Sequence, residues 1–266
     1  SCRTSAVSRI EHCRDDALGL QLIKDLFDAG LVLRIRQFFA ELFLHFELVP
    51  DALPERLKAL IQRFPPGVLQ FEVGIQTFDP QVQQRIARRQ DHDRTVANLG
   101  WLVNHAPVHV HADLIYGLPY QDQYSMEETL QRVISLGPDR IACYNYAHLP
   151  ERFSSQRAID RLSLPAPEEK LLLQQMISHT LQDAGYLHIG MDHYVLPEDE
   201  LARALQEGRL QRNFQGYSLH MADDLLGLGV SAISQMGDFY LQNERELDAY
   251  YRLVESGQMP FTRGCK

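Results

Sequence analysis

Polar side chains stand at or near the carboxyl ends of three predicted strands, at 42–49, 69–75 and 108–115. Glu47, Gln76 and Asp113 occupy these positions. Ligands bind at the carboxyl ends of strands in α/β barrels and open α/β sheets, and residues two apart share a strand face. Carboxylate and amide oxygens there can accept hydrogen bonds from hydroxyl or amino groups. We therefore expect these three side chains to converge in one ligand pocket.

Three runs in the second half of the chain place Asn, His, Asp and Gln among apolar residues and glycines. They are YNYAHLP (Tyr144 to Pro150), IGMDHY (Ile189 to Tyr194) and RNFQGY (Arg212 to Tyr217), and LLGLGVSAIS follows, ending at Ser234. Burying polar groups costs free energy unless they find partners. The runs therefore predict a binding site. Asp192 and His193 are candidate catalytic residues, because Asp192 could orient the neighbouring imidazole or accept a hydrogen bond from a ligand N–H.

Composition limits the class of protein. The 266 residues are 45% hydrophobic and carry a formal net charge of −9. This charge argues against nucleic-acid binding through a basic face. No apolar run approaches the roughly 20 residues that span a membrane, and no secretory leader is apparent. We expect a cytoplasmic monomer with no nucleic-acid or membrane partner.

The four cysteines are Cys2, Cys13, Cys143 and Cys265. No pair has the spacing of a metal site, so free thiols in a reducing compartment are expected.

Short apolar strands alternate with amphipathic helices, a pattern typical of α/β proteins with a parallel sheet. Asp79 followed by Pro80 predicts a helix start for 81–88. Ser125 with Glu128 predicts a capping box at the start of a helix that ends near Leu136.

Together with DLIYGLP at Asp113 to Pro119, the runs YNYAHLP, IGMDHY and RNFQGY resemble the oxygen-independent coproporphyrinogen III oxidases. These are radical S-adenosylmethionine (SAM) enzymes of haem synthesis. The segment from HFELVPD to IARRQD resembles radical SAM proteins that carry a cobalamin-binding domain, with a seam near 111–116. The resemblance implies an α/β fold: a partial (β/α)6 radical SAM barrel with an α-rich C-terminal extension. We expect a poorly defined segment at 1–30, the partial barrel at 31–165 and a helical and loop region at 166–266.

The resemblance also implies roles for individual residues and cofactors. SAM contacts are implied for Glu47, Gln76, Arg88, Asp113, Ala147 and Ile233, and a place near the active centre for Gln215. The implied activity is oxidative decarboxylation of the tetrapyrrole coproporphyrinogen III to protoporphyrinogen IX, with SAM and a 4Fe-4S cluster. The CxxxCxxC motif that would hold the cluster is absent from this sequence. We expect a fragment that lacks the first two barrel strands and is inactive by itself.

Two alternatives remain open. VHVHAD places His109 and His111 on one strand face, a spacing that can ligate zinc in a hydrolase. Asp113, His188 and His193 could complete that site. Alternatively, a non-catalytic, haem-chaperone-like module could bind tetrapyrrole through His148, His193 and Tyr194.

Overall fold

A computed structural model describes residues 44–213, 216–219, 224–225, 227 and 229–266. It divides into two compact units. The larger is Leu48–Leu219, and the smaller contains the described residues 44–47 and 224–266. Gln215, Cys2 and Cys13 lie outside the described residues. The predicted domain boundaries stay predictions.

The larger unit alternates strands and helices, as the sequence pattern predicts. Its strands are β2 (Leu69–Gln76), β3 (Val108–Tyr116), β4 (Arg140–Asn145), β5 (Leu187–Gly190), β6 (His193–Val195), β7 (Gln211–Asn213) and β8 (Gly216–Ser218). Its helices are α1 (Glu55–Ile61), α2 (Pro80–Arg85), α3 (His92–His105), α4 (Gln123–Leu136), α5 (Pro167–Asp183) and α6 (Glu200–Gln206). Strand β1 (Leu44–Leu48) lies at the boundary between the units.

The main sheet of the larger unit has the strand order β2-β3-β4-β6-β5. Strands β2, β3 and β4 are parallel and are joined through helices, whereas β6 runs antiparallel to β4 and forms a hairpin with β5. The carboxyl ends of β2, β3 and β4 therefore meet at one edge of the sheet. This parallel sheet agrees with the predicted partial radical SAM barrel.

The two faces of this sheet differ in chemistry because side chains alternate along each strand. One face is apolar and buried, and it carries Phe71, Val73, Ile75, Val110, Ala112, Leu114, Ile141 and Cys143. Tyr194 shares this face and lies beside Ser178 of α5, so α5 packs on this side. The opposite face is polar, and it carries Gln70, Glu72, His109, His111, Asp113, Arg140, Tyr144 and His193.

Helix α6 closes the amino-terminal end of the polar face. Arg140 at the start of β4 donates to Asp199 at 2.7 Å, to Glu200 at 3.2 Å and to Gln70 at 3.1 Å. Asp199 is also the N-cap of α6 and accepts from the amide of Leu201. Both charged side chains of the Arg140–Asp199 pair are buried, at 9% and 1% exposure. Ion pairs therefore join β4 to α6 at this end of the sheet.

Helix starts follow local capping rules, with one correction. Asp79 caps α2 as predicted, because its carboxylate accepts from the amides of Gln81 and Val82. The predicted start of α4 at Ser125 is wrong, since Asp122 is the N-cap and Ser125 is the third helical residue of the capping box. An aspartate three residues earlier completes the reciprocal hydrogen bonds that the Ser125–Glu128 pair would have made.

The smaller unit contains a four-stranded antiparallel sheet in the order β12-β11-β10-β9. Its elements are β9 (Asp224–Leu225), β10 (Ile233–Met236), β11 (Phe239–Asn243), α7 (Leu247–Glu255) and β12 (Phe261–Cys265). Across the described ranges, no helix is both long enough and apolar enough to span a membrane.

Candidate ligand site at the carboxyl end of the sheet

Asp113 lies in the carboxyl-terminal half of β3, buried at 9% exposure, and Gly74 of β2 is its partner in the parallel ladder. Gln76 ends β2 in a bulge with φ +67°, and its amide folds back over Gly74. A Cβ added at Gly74 would lie 2.8 Å from Nε2 of Gln76. Glycine therefore lets the amide approach the backbone beside Asp113. The structure brings these two predicted site residues together on one face.

Arg88 reaches the same strand end from the segment after α2. Its guanidinium donates to the carbonyl of Gly74, and its Nε donates to Gln90 at 2.7 Å. Burial lowers the pKa of Arg88, and the charge of Asp51 opposes that shift. The predicted residues Gln76, Arg88 and Asp113 thus gather around Gly74.

His193 is the centre of an aromatic cluster on the polar face. Its ring centroid lies 5.7 Å from that of His111, 5.8 Å from Tyr144 and 5.1 Å from Tyr217. The rings of Tyr144 and Tyr217 meet the imidazole nearly edge to face, at 84° and 76°. Nδ1 of His193 is buried and has no hydrogen-bond partner within the described part of the chain. The cluster therefore offers a polar ring atom between aromatic surfaces.

The His193 imidazole is neutral near pH 7. Burial lowers the pKa of His193 to about 4, and the positive charge of Arg212 adds to the shift while Glu72 opposes it. A neutral imidazole has one nitrogen that donates and one that accepts. It can accept a ligand N–H without the cost of an unpaired buried charge.

Gly190 explains how Tyr217 reaches this cluster. A Cβ at Gly190 would clash with the hydroxyl oxygen of Tyr217, and the residue has φ +136°. Only glycine accepts both the backbone angle and the close approach. Sequence reasoning did not single out Tyr217 or Gly190, although a glycine just before a polar turn is a usable signal for close packing.

Asp192 occupies the turn between β5 and β6. Its carbonyl accepts from the amide of Cys143 at 2.9 Å, which fixes the turn against β4. Burial raises the pKa of the Asp192 carboxyl, and the charges of Arg212 and His188 partly oppose this. The hydrogen bond fixes the backbone of the turn, and the role of Asp192 toward His193 stays a prediction.

Two expected groupings of histidines do not form. His188 stacks on Tyr194 at 4.8 Å, on the face opposite His193, so the zinc group with His188 and His193 is wrong. Tyr194 likewise points away from His193, since consecutive strand residues face opposite sides. His109 lies 3.5 Å from Asp139, and among the described residues no group of three or more His, Cys, Asp or Glu could hold a metal ion.

The described cysteines do not fit an iron–sulfur cluster. Cluster ligands must be thiolates. Cys143 is buried on the apolar face, where burial raises the pKa of its thiol, and Cys265 is an exposed residue at the end of β12 in the other unit.

The remaining predicted residues lie elsewhere in the chain. Ala147 follows β4, exposed, and its carbonyl accepts from Gln156. Glu47 lies in β1 and Ile233 in β10, both in the smaller unit. Their roles at the site stay predictions, and Gln215 is not described.

Known proteins are similar to this chain in sequence and in fold. The chain is 46% identical over 200 residues to the oxygen-independent coproporphyrinogen III oxidase of Pseudomonas aeruginosa, covering 74% of this chain and 43% of that protein. The enzyme of the same description from Escherichia coli is 43% identical over 233 residues, covering 86% and 50%. The chain belongs to the oxygen-independent coproporphyrinogen III oxidase family. No protein-family model matches it.

The fold agrees with this family. The solved structure of coproporphyrinogen III oxidase from Escherichia coli, described as a radical SAM enzyme, matches with a TM-score of 0.79 at 40% identity and covers 89% of this chain and 55% of that one. The chain spans about half the length of the curated oxidases it matches. The 233-residue match necessarily includes sequence on the N-terminal side of Asp113, so the likeness is not confined to the C-terminal part.

Proposed function

We propose that this chain supplies the SAM-binding and tetrapyrrole-facing part of an oxygen-independent coproporphyrinogen III oxidase, which oxidatively decarboxylates coproporphyrinogen III to protoporphyrinogen IX. One observation supports this most. Around Gly74, at the carboxyl end of the parallel strands, the structure brings together Asp113, Gln76 and Arg88. This is the end of an α/β barrel where ligands bind.

Each residue has a binding role that its environment allows. Asp113 would accept hydrogen bonds from the ribose hydroxyls or the amino group of SAM, and Gly74 leaves room for the Gln76 amide beside it. Arg88 holds the Gly74 carbonyl and so fixes the strand end. His193, neutral and with Nδ1 free of other described partners, would accept a pyrrole N–H between Tyr144 and Tyr217. Glu47, Ala147, Ile233 and Gln215 are further proposed contacts.

In the complete reaction, SAM is the source of the radical that removes hydrogen from the substrate propionate. Asp113, Gln76 and Arg88 fit the polar parts of SAM, whereas the described cysteines do not fit the cluster. We therefore expect this chain by itself to bind these ligands without turnover.

Calorimetric titration with S-adenosylhomocysteine tests the SAM site. Asp113→Asn keeps the shape of the side chain but removes the charge, so we expect about ten- to a hundredfold weaker binding, as one charge-assisted hydrogen bond predicts. Asp183→Asn, an exposed change at the end of α5, is the control and should bind as wild type does. Equal affinity in Asp113→Asn would remove Asp113 from the site. Failure of folded wild type to bind would reject the SAM-binding proposal.

A second candidate function is non-catalytic tetrapyrrole binding. Two observations favour it. His193 lies in an aromatic cluster on the polar face, and the described cysteines do not fit an iron–sulfur cluster. Fluorescence titration with coproporphyrin III, beside S-adenosylhomocysteine calorimetry, separates the two. Porphyrin binding without nucleoside binding would support the binding module, and binding of both would support the oxidase part.

A further inference from the structure

Lys170 carries an ammonium group to the carboxyl edge of the sheet. It lies in the first turn of α5, and its Nζ donates to the carbonyl of Tyr146 at 2.8 Å and to the side-chain oxygen of Asn145 at 3.2 Å. Asn145 is the last residue of β4 and Tyr146 follows it. The charge is therefore fixed at the carboxyl end of β4, the same edge of the sheet as the proposed ligand site, and Lys170 is not among the residues assigned to that site.

The stem of Lys170 is held in place by the loop after β3. Gly117 has φ +82°, and a Cβ there would lie 2.7 Å from Cε of Lys170. Tyr146 adds a ring face, with Nζ 5.9 Å from its centroid, and its amide donates to Tyr116 across the two strand ends. The side chain thus crosses a glycine backbone to reach its position. Such an arrangement orders a long, flexible side chain, which costs conformational entropy.

The partners that hold the ammonium are neutral. Within the described ranges, Lys170 makes no ion pair, whereas Lys58 pairs with Glu55 at 2.8 Å. Glu169, its nearest acidic neighbour in sequence, turns back to accept from the amide of Ala166. An ammonium has three N–H donors, and carbonyl and amide oxygens occupy two of them here. Partial burial lowers the pKa of Lys170, as expected for a charge without a carboxylate nearby.

We propose that Lys170 anchors a carboxylate of the ligand bound at this edge. A carboxylate would occupy the remaining donor and supply the missing counter-charge. The identity of the ligand rests on the proposed function, which offers two sources: a propionate of the tetrapyrrole or the amino-acid carboxylate of SAM. Tyr146 and His148, joined through a 3.2 Å contact between the tyrosine hydroxyl and Nδ1, lie on the same strand end and can contact the same ligand.

Binding measurements on the whole chain test this anchor. The probes are coproporphyrin III by fluorescence, its tetramethyl ester in the same detergent buffer, and S-adenosylhomocysteine by calorimetry. The variants are Lys170→Gln and Lys170→Arg. Lys58→Gln, which removes the same charge on α1, is the matched control. Circular dichroism and thermal melting confirm folding.

For a propionate anchor, Lys170→Gln weakens coproporphyrin III binding about tenfold or more, Lys170→Arg recovers part of it, and the ester is insensitive to both changes. If Lys170 instead binds the carboxylate of SAM, Lys170→Gln weakens the binding of S-adenosylhomocysteine. If Lys170→Gln does not fold, measurements on the wild type decide. The anchor is overturned if the wild type binds coproporphyrin III and its ester equally well and if added salt does not weaken its binding of S-adenosylhomocysteine. Losses in Lys170→Gln no larger than in Lys58→Gln also overturn it while the proposed function stands. Folded wild type that binds no probe overturns both.

Discussion

At the scale of single residues, burial decides which groups on the polar face carry charge. His109 lies 3.5 Å from Asp139, whose carboxylate raises the pKa of the imidazole, whereas burial holds His193 neutral. The pKa values of two histidines on one sheet face are therefore shifted in opposite directions. The one near the carboxyl end is suited to accept a hydrogen bond from a ligand.

The shifted pKa of His193 predicts a pH dependence of stability. Because the folded pKa of about 4 is below the unfolded value of about 6.5, the unfolded chain binds more protons between these values. Stability due to neutral His193 is full above pH 6.5 and is lost as the pH falls toward 4. Between pH 6.5 and 5 this loss is up to about 2 kcal/mol.

Urea unfolding of wild type and His193→Gln across this pH range measures that loss. The variant should have a flatter dependence on pH, and His179→Gln, an exposed change on α5, should keep the wild-type slope. An imidazole midpoint near pH 6.5 for His193, seen by NMR titration, would contradict a buried neutral ring.

At the scale of elements, helix and strand starts follow short-range rules. Close contacts between elements can depend instead on a glycine, which has no side chain to block them. The hairpin of β5 and β6 and the hairpin of β7 and β8 meet where Tyr217 lies over Gly190. Leu210, Leu219 and Tyr217 pack on an apolar cluster of Ile189, Val195, Leu201 and Ala202. The glycine is a packing residue of this contact as well as a turn residue.

Gly190→Ala should destabilise the protein more than a glycine change that only strains the backbone. Gly216→Ala is the matched control, since it has φ +138° and the nearest atom to an added Cβ is Nε2 of His193 at 3.9 Å, an ordinary contact. Strain at positive φ costs about 1–3 kcal/mol, and Gly190→Ala adds the clash with Tyr217. Urea unfolding should show the larger loss in Gly190→Ala. Equal losses would mean that Tyr217 does not lie over Gly190.

At the scale of the whole larger unit, the polar face of the sheet is divided between stability and binding. Arg140, Asp199 and Glu200 join β4 to α6 at the amino end, and the carboxyl end keeps Asp113, Gln76 and His193. This division follows the general organisation of α/β barrels, in which ligands bind at the carboxyl ends of the strands. The matched oxidases are similar to this chain in sequence over about half of their length.

Arg140→Met should strongly destabilise the larger unit. Removing one partner of a buried ion pair leaves Asp199 uncompensated and costs about 3–5 kcal/mol. Arg203→Met, an exposed change on α6, is the control and should cost little. The double variant Arg140→Met with Asp199→Asn should recover part of the loss, because asparagine still caps α6. Similar unfolding free energies for Arg140→Met and Arg203→Met would show that the pair does not join these elements.

The sequence by itself determined the parallel strands, the helix between each pair of them and the placement of Asp113 and Gln76 at strand ends. These features follow from hydrophobic period and local turn chemistry, which act over a few residues. The family likeness rests on the same continuous runs.

The tertiary structure alone decided which side chains meet. It separates His193 from Tyr194, joins Arg140 to Asp199 across 59 residues, and carries Lys170 over Gly117 to the end of β4. Such contacts depend on the register of strands and the docking of helices. These are set by the packing of the whole core, so no local pattern in the sequence specifies them.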